Sequence, residues 1–135
     1  MGQLITYTGT IKRRGLKMKN RNKESTRYYS DIQESHVANV LGGYKNSNSG
    51  AGKFSAGDVT IPRAKLLVEC KTCLEEKESF SIKRDWLRKN KEEVFSKGLD
   101  YGALAFNFGH NTKNYYIINE GLMEFLVDKM EEALK

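Results

Sequence analysis

Pro62 is the only proline in the chain, and it stands between two runs of strand-forming residues, Asp58-Val59-Thr60-Ile61 and Ala64-Lys65-Leu66-Leu67-Val68-Glu69-Cys70-Lys71. Proline has no N–H to give to a β-ladder, so the chain turns at Pro62-Arg63 instead of continuing as one long strand. A tight connection there makes the two runs antiparallel neighbours and brings the start of the first close to the end of the second. Side chains alternate along a strand, so Lys65, Leu67, Glu69 and Lys71 share one face and Leu66, Val68 and Cys70 the other. Glu69 and Lys71 therefore project side by side, ~6–7 Å apart along the strand. Asp58 is expected to meet Glu69. Two carboxylates converging in a dry place cost on the order of several kcal/mol unless a cation neutralises them.

Oxygen donors without histidine or paired thiolates favour a hard ion, Mg²⁺ or Mn²⁺, held by Asp58, Glu69 and the backbone carbonyl of Cys70. Lys71 beside it would position water or stabilise developing negative charge, which is enough in outline for phosphodiester hydrolysis. Glu34, on a helix stripe with Ala38 and Leu41, is a carboxylate among apolar neighbours and a further candidate for the site. The plainer alternative makes Glu69 and Lys71 a solvent-facing pair on a one-sided sheet and Asp58 a turn residue.

Cys70-Lys71-Thr72-Cys73 has the form of a Cys-x-x-Cys motif. A structural zinc needs four ligands, and His36 and His110 lie far apart without zinc-finger spacing. Strand alternation turns Cys70 into the core and leaves Cys73 at a loop edge.

The formal charge is +6 over 135 residues, and it is unevenly spread. Residues 1–30 carry eight basic side chains, Arg13 and Arg14 among them, against Glu24 alone, a net +7. The remaining 105 residues hold 15 basic and 16 acidic groups, a net −1. Such a basic N-terminal arm, residues 1–29, attracts polyanions by releasing their condensed counterions. No apolar run approaches the ~20 residues needed to cross a bilayer. The opening Met-Gly-Gln-Leu-Ile-Thr-Tyr-Thr-Gly has no apolar secretory core, so a cytoplasmic protein is expected.

Along the chain, Ser30 reads as an N-cap for a helix over 31–41 that stops at Gly42-Gly43. Residues 44–57 read as a polar, glycine-rich surface loop or short edge strand, in which Ser47, Ser49 and Lys53 could lie against a phosphate. After the two strands around Pro62 comes a second helix, capped by Ser79 or Ser81, with Ile82, Trp86, Leu87, Val94 and Phe95 as its apolar stripe and Gly98 as its stop. Trp86, Tyr115 and Tyr116 read as core. Two apolar strands, Tyr101-Gly-Ala-Leu-Ala-Phe and Asn114-Tyr-Tyr-Ile-Ile, follow, and a final helix closes the chain. The order αβββαββα at this length predicts one α/β domain, a central mixed β-sheet flanked by helices.

Asp58, ten intervening residues and Glu69-Cys70-Lys71 resemble the D-(x)n-E-x-K core of the PD-(D/E)XK nuclease superfamily. The helix Glu34-Ser-His-Val-Ala-Asn-Val-Leu-Gly-Gly and the stretch Asn48-Ser-Gly-Ala-Gly-Lys-Phe-Ser-Ala-Gly-Asp are similar to its Holliday-junction-resolvase branch, which includes archaeal-type and phage-encoded members. The likeness covers roughly residues 30–110. The family's proline before the first aspartate is Gly57 here. The resemblance implies a restriction-endonuclease-like domain over 30–135, with Glu34, Asp58 and Glu69 as metal-site acids and Lys71 as catalytic lysine. It implies Mg²⁺ or Mn²⁺ as cofactor, branched or duplex DNA as partner and a homodimer as working unit. Ser49 and Lys53 are implied near the scissile phosphate, and Lys83 or Lys89 beside the metal on the second helix. The expected activity is that of an endonuclease resolving four-way DNA junctions. Alternatives are a nuclease of the same fold acting on other DNA structures and a non-catalytic nucleic-acid-binding module.

Overall fold

The structure, a computed structural model, describes the backbone of residues 15–46 and 58–135, and within those ranges the side chains from residue 26 onward. Helix α1 spans Gly15–Leu41, followed by strands β1 (Tyr44–Lys45), β2 (Val59–Ile61) and β3 (Leu66–Lys71), helix α2 (Arg84–Ser96), strands β4 (Tyr101–Phe106) and β5 (Tyr115–Ile117), and helix α3 (Glu120–Ala133). This is the expected αβββαββα order. The strands form one mixed sheet in the order β1-β2-β3-β4-β5. Only β3 and β4 run parallel, and α2 makes the crossover that a parallel pair requires.

The Pro62-Arg63 turn is a short 3-10 segment, Pro62–Ala64, ending at Lys65 with φ +51°. The Lys65 N–H donates to the Pro62 carbonyl at 3.0 Å, and the Lys65 carbonyl accepts from both Asp100 and Tyr101 at 2.9 Å. That clamp ties the hairpin to the start of β4. The hairpin is antiparallel, with Val59 opposite Val68 and Ile61 opposite Leu66.

Both faces of the sheet are covered. On one, Val37 and Ala38 of α1 pack with Val59, Ile61, Val68, Cys70, Ala103 and Ala105 into a contiguous core. On the other, Leu67 and Leu104 are fully buried beneath α2. A sheet with one solvated face is thereby ruled out. Asn90 of α2 lies on this second face and donates to the Leu67 carbonyl at 3.4 Å. It fits because β4 carries Gly102 there; any Cβ at that position would collide with the Asn90 amide oxygen.

Four expectations need correction. α1 begins at Gly15, so residues 15–30, half of what reads as an arm, are helical, and Ser30 lies inside the helix instead of capping it. The stretch is rich in Leu, Lys, Met, Arg and Glu, all good helix formers, but has no apolar periodicity to announce a helix. α2 is preceded by Lys83 with no side-chain cap, so neither Ser79 nor Ser81 caps it. Phe80, between them, packs on Phe106 with ring centroids 5.2 Å apart. The α2 stripe is Trp86, Asn90 and Val94, whereas Phe95 is 87% exposed and Leu87 is exposed too. Tyr115 and Tyr116 are exposed, although the Tyr115 ring still leans on Phe106 and Phe108.

The Gly42-Gly43 stop of α1 holds. Gly42 adopts φ +73°, the left-handed conformation that ends helices, and the Gly43 N–H donates back to the Ala38 carbonyl at 2.8 Å. The final helix is capped by Asn119, whose side chain accepts from the Leu122 N–H at 2.8 Å. No helix among the described residues is long and apolar enough to cross a membrane.

Candidate active site

Asp58 sits where β2 starts, pinned from both sides. Its N–H donates to the Val68 carbonyl at 3.2 Å, and its own carbonyl accepts from the Asn46 N–H at 3.0 Å. Its carboxylate Oδ2 accepts from the Cys70 N–H at 2.6 Å. The residue is buried. Beyond the Val59–Val68 pair, the edge of β3 has no further β2 residue in register, and the Asp58 side chain takes that place in the ladder. Within a strand the N–H and carbonyl of one residue point to the same side, so the Cys70 carbonyl faces this edge too.

Glu69 projects on the α2 face of β3. Burial first, then the negative charge of Asp58, pushes its carboxyl from the usual 4.5 up to about 7. Lys71 opposes that shift by charge and hydrogen bonding, and Glu93 of α2 adds to it. The Lys71 ammonium lies 3.4 Å from Glu69 Oε2 and 4.5 Å from the centroid of the Trp86 ring. A cation between a carboxylate and an indole face has its position fixed by both. The expected pairing of Glu69 with Lys71 and the approach of Asp58 to Glu69 are both present.

Glu34 is buried on α1, against the opposite face of the sheet. Its charge is felt at Cys70, whose thiol is pushed well above its ordinary range by burial first, then by Asp58, Glu34 and Glu69, with Lys71 acting in the other direction. Asp58 is thus the pivot of the acids: its charge reaches Glu69 on one face and Cys70 on the other, and Glu34 approaches from the Cys70 side. Among the described residues no three His, Cys, Asp or Glu side chains close up into a group able to hold a metal ion by themselves. Both thiols are free and buried, Cys70 in the core and Cys73 at the loop edge just past β3, as expected, near the Asn107 carbonyl at 3.8 Å.

Of the remaining candidates, Lys83 immediately precedes α2, exposed, with its ammonium 5.8 Å from the Trp86 ring centroid. Lys89 is exposed on α2 and by helical spacing shares a stripe with Trp86 and Glu93. Arg13, Arg14, Ser47, Ser49 and Lys53 lie outside the described residues.

Two groups at this site had no sequence signature. Glu93 reads as one of several charges on a solvated helix, yet it contributes to the field at Glu69. Gln33, nearly wholly buried, donates through Nε2 to the Lys71 carbonyl at 2.9 Å, to Asn114 Oδ1 at 3.0 Å and to the Ala105 carbonyl at 3.4 Å. Asn107 continues the network, donating to Asn114 Oδ1 at 3.2 Å and accepting from Thr72 Oγ1 at 2.8 Å. These contacts bind the ends of β3 and β4 to α1 and hold the backbone that carries Lys71. The one available hint was that Gln33 precedes Glu34 on the same helix turn as Val37.

No family model, curated protein or solved structure matches the chain.

Proposed function

We propose that the chain is a metal-dependent endonuclease that hydrolyses DNA phosphodiesters, built on a restriction-endonuclease-like fold, and that its substrate is a four-way DNA junction. The observation that carries this reading is the buried Asp58 within electrostatic reach of the half-buried Glu69, with the Lys71 ammonium on Glu69, at the place where β2 parts from β3. Such charge concentration is costly to the fold and is characteristic of functional sites. The resemblance of Asp58 and Glu69-Cys70-Lys71 to the superfamily core points the same way, and so does the topology of three antiparallel strands followed by a helical crossover to a parallel one.

The donor set fits a hard divalent cation: the carboxylates of Asp58 and of Glu69, the latter raised to about 7 by burial first and by the Asp58 charge second, and a strand-edge carbonyl at Cys70 facing the same side as Asp58. Held by Asp58, Glu69 and Cys70, Mg²⁺ or Mn²⁺ would supply charge neutralisation at the phosphate and a more acidic water. The chain's own residues do the rest. The Cys70 N–H fixes the Asp58 carboxylate, Gln33 fixes the Lys71 backbone, and Glu69 with Trp86 holds the Lys71 ammonium where negative charge develops on phosphate oxygens. The basic residues of the first 30 positions draw the polyanion in.

Two symmetric cuts across a four-way junction call for two sites related by a two-fold axis, and the partner in this reading is a second copy of the chain. Helix α3 supports it. Met123, Val127, Met130 and Leu134 lie exposed along that helix, which has five acids and two lysines over residues 120–135. Beside it opens a mainly apolar groove of about 720 Å³, between Leu41, Leu66, Tyr101 and Phe125, flanked by Arg63 and Lys65. Acidic α3 of one copy would meet Arg63 and Lys65 of the other, which share the groove's rim with Asp100.

Incubation with Mg²⁺ of a synthetic four-way junction and of a linear duplex of matched sequence tests the reading. Preferential cutting of the junction supports it. Equal cutting removes the junction assignment and leaves a nuclease acting on other DNA, and cutting of neither removes the nuclease.

A further inference from the structure

Past the ends of β3 and β4 lies a cavity of about 840 Å³ that the proposed hydrolysis does not use. It falls within the range of about 300–1,000 Å³ typical of sites for small organic groups. Aromatic rings line it from both sides of the sheet. Tyr29 of α1 and His110 stack at 3.8 Å between centroids and 14° between planes, and Phe80 and Trp86 meet at 6.3 Å from the α2 side. Between them Thr72 and Ser81 offer hydroxyls. His110 Nδ1 is buried and has no hydrogen-bond partner among the described residues. A buried polar nitrogen without a partner is rare in a folded protein, and a ligand edge is one way to satisfy it.

Trp86 is shared between this cavity and the acid site, since the Lys71 ammonium lies over its ring. A DNA strand whose phosphate meets Lys71 therefore has a neighbouring base within reach of the cavity. Four aromatic rings set among mainly polar walls, Glu75 and Lys77 included, suit a nucleobase, because every base has a π-face and a polar edge. Extruding a base from an intact duplex costs the pairing and stacking it gives up, whereas an unpaired base at a branch or in a single strand has already lost them.

We propose that the cavity lined by Tyr29, His110, Phe80 and Trp86 binds one unstacked nucleobase of a DNA strand against its aromatic rings. The placement of that base beside the reacting phosphate rests on the nuclease reading; the binding itself does not. The site thus selects DNA carrying an unpaired nucleotide.

Trp86 is the only tryptophan in the chain, so its emission reports on the cavity wall together with the neighbouring Lys71, and the Tyr29 and His110 variants isolate the cavity's share. The test titrates the full chain, in EDTA, with a thymidine 12-mer single strand and separately with a 12-base-pair blunt duplex. Tryptophan fluorescence reports on the cavity, and the anisotropy of labelled DNA reports on total binding. A saturable change in Trp86 emission is expected with the single strand, at least about ten-fold tighter than any change with the duplex. Tyr29→Ala and His110→Ala are each expected to weaken the single-strand response by about ten-fold. His110→Phe, which keeps a ring against Tyr29, is the companion variant if His110→Ala does not fold, and is expected to weaken it less but measurably. The proposal is overturned if the strand does not bind, if it binds by anisotropy with Trp86 emission unchanged, or if the folded variants respond like the native chain. Cleavage is not a readout here. A chain that cuts nothing yet shows the response loses the nuclease reading and keeps this one, and an active nuclease without the response does the reverse.

Discussion

At the pivot of β2 and β3 the protein keeps Glu34 and Asp58 less than a tenth exposed, whereas along α3 it leaves Met130 and Leu134 60% and 88% exposed. Each region inverts the usual partition of side chains, one by hiding charge and the other by showing apolar surface. Both inversions cost free energy in the isolated chain, and in the proposed reading each is relieved by a bound partner, a cation at the carboxylates and a second copy of the chain at the apolar helix face. The stretch between them, Leu67, Val68, Ala103 and Leu104, follows ordinary rules and holds the two apart.

Substitutions at the two regions should separate these roles. Asp58→Ala and Glu69→Ala are each expected to lower the rate of DNA cleavage by about 10³-fold or more while far-UV circular dichroism stays native, a loss of about 4 kcal/mol in transition-state stabilisation. Lys71→Ala should cost about 10²–10³-fold in the same assay. Retained activity in all three would place the chemistry elsewhere. In the core between the regions, Leu67→Ala is expected to cost about 2–5 kcal/mol of stability in urea unfolding, with cleavage unchanged below the melting range.

The acid region also has a pH signature. The Glu69 carboxyl is raised to about 7 in the folded protein from the ordinary 4.5. The folded state therefore holds its proton more tightly than the unfolded one. Its contribution to stability is fully present below pH 4.5 and is lost as the pH rises through about 7. Glu69→Gln should remove that dependence and be more stable than the native chain at pH 8, by on the order of 2 kcal/mol. A variant less stable than native at pH 8 would contradict the burial of an ionised Glu69.

At the α3 region the expected effect on the single chain is the smallest. Met130→Glu should change unfolding free energy by no more than about 0.5 kcal/mol, since its site is already solvated. Sedimentation equilibrium should nonetheless show a two-fold assembly in the native chain and a monomer in the variant. An unchanged assembly would mean that α3 is not the interface.

Much of this arrangement was legible in the chain because its causes are local. Pro62 dictates a turn, alternation dictates that Glu69 and Lys71 share a face, and together they draw Asp58 to the same place. What escaped depends on contacts distant in sequence. The Gln33 amide reaches Lys71, Ala105 and Asn114, which lie 38 to 81 residues away, and no local pattern announces such a network. The helical state of residues 15–30 escaped for a different reason. Its residues favour a helix individually but present no apolar stripe, and charge density reads as an arm. Phe95 shows the opposite error, an apolar residue at helical spacing that tertiary packing leaves in solvent. Glu34 was expected at the site from helix spacing and family likeness; it is buried, and its charge is felt at Cys70, on the face of the sheet opposite Glu69.

The most direct measurement is cleavage of a labelled four-way junction by the native chain and by Asp58→Ala, each with Mg²⁺ and with EDTA. The account predicts paired cuts only for the native chain with Mg²⁺. Equal cutting by Asp58→Ala, or cutting by the native chain that persists in EDTA, would contradict a cation held between Asp58 and Glu69.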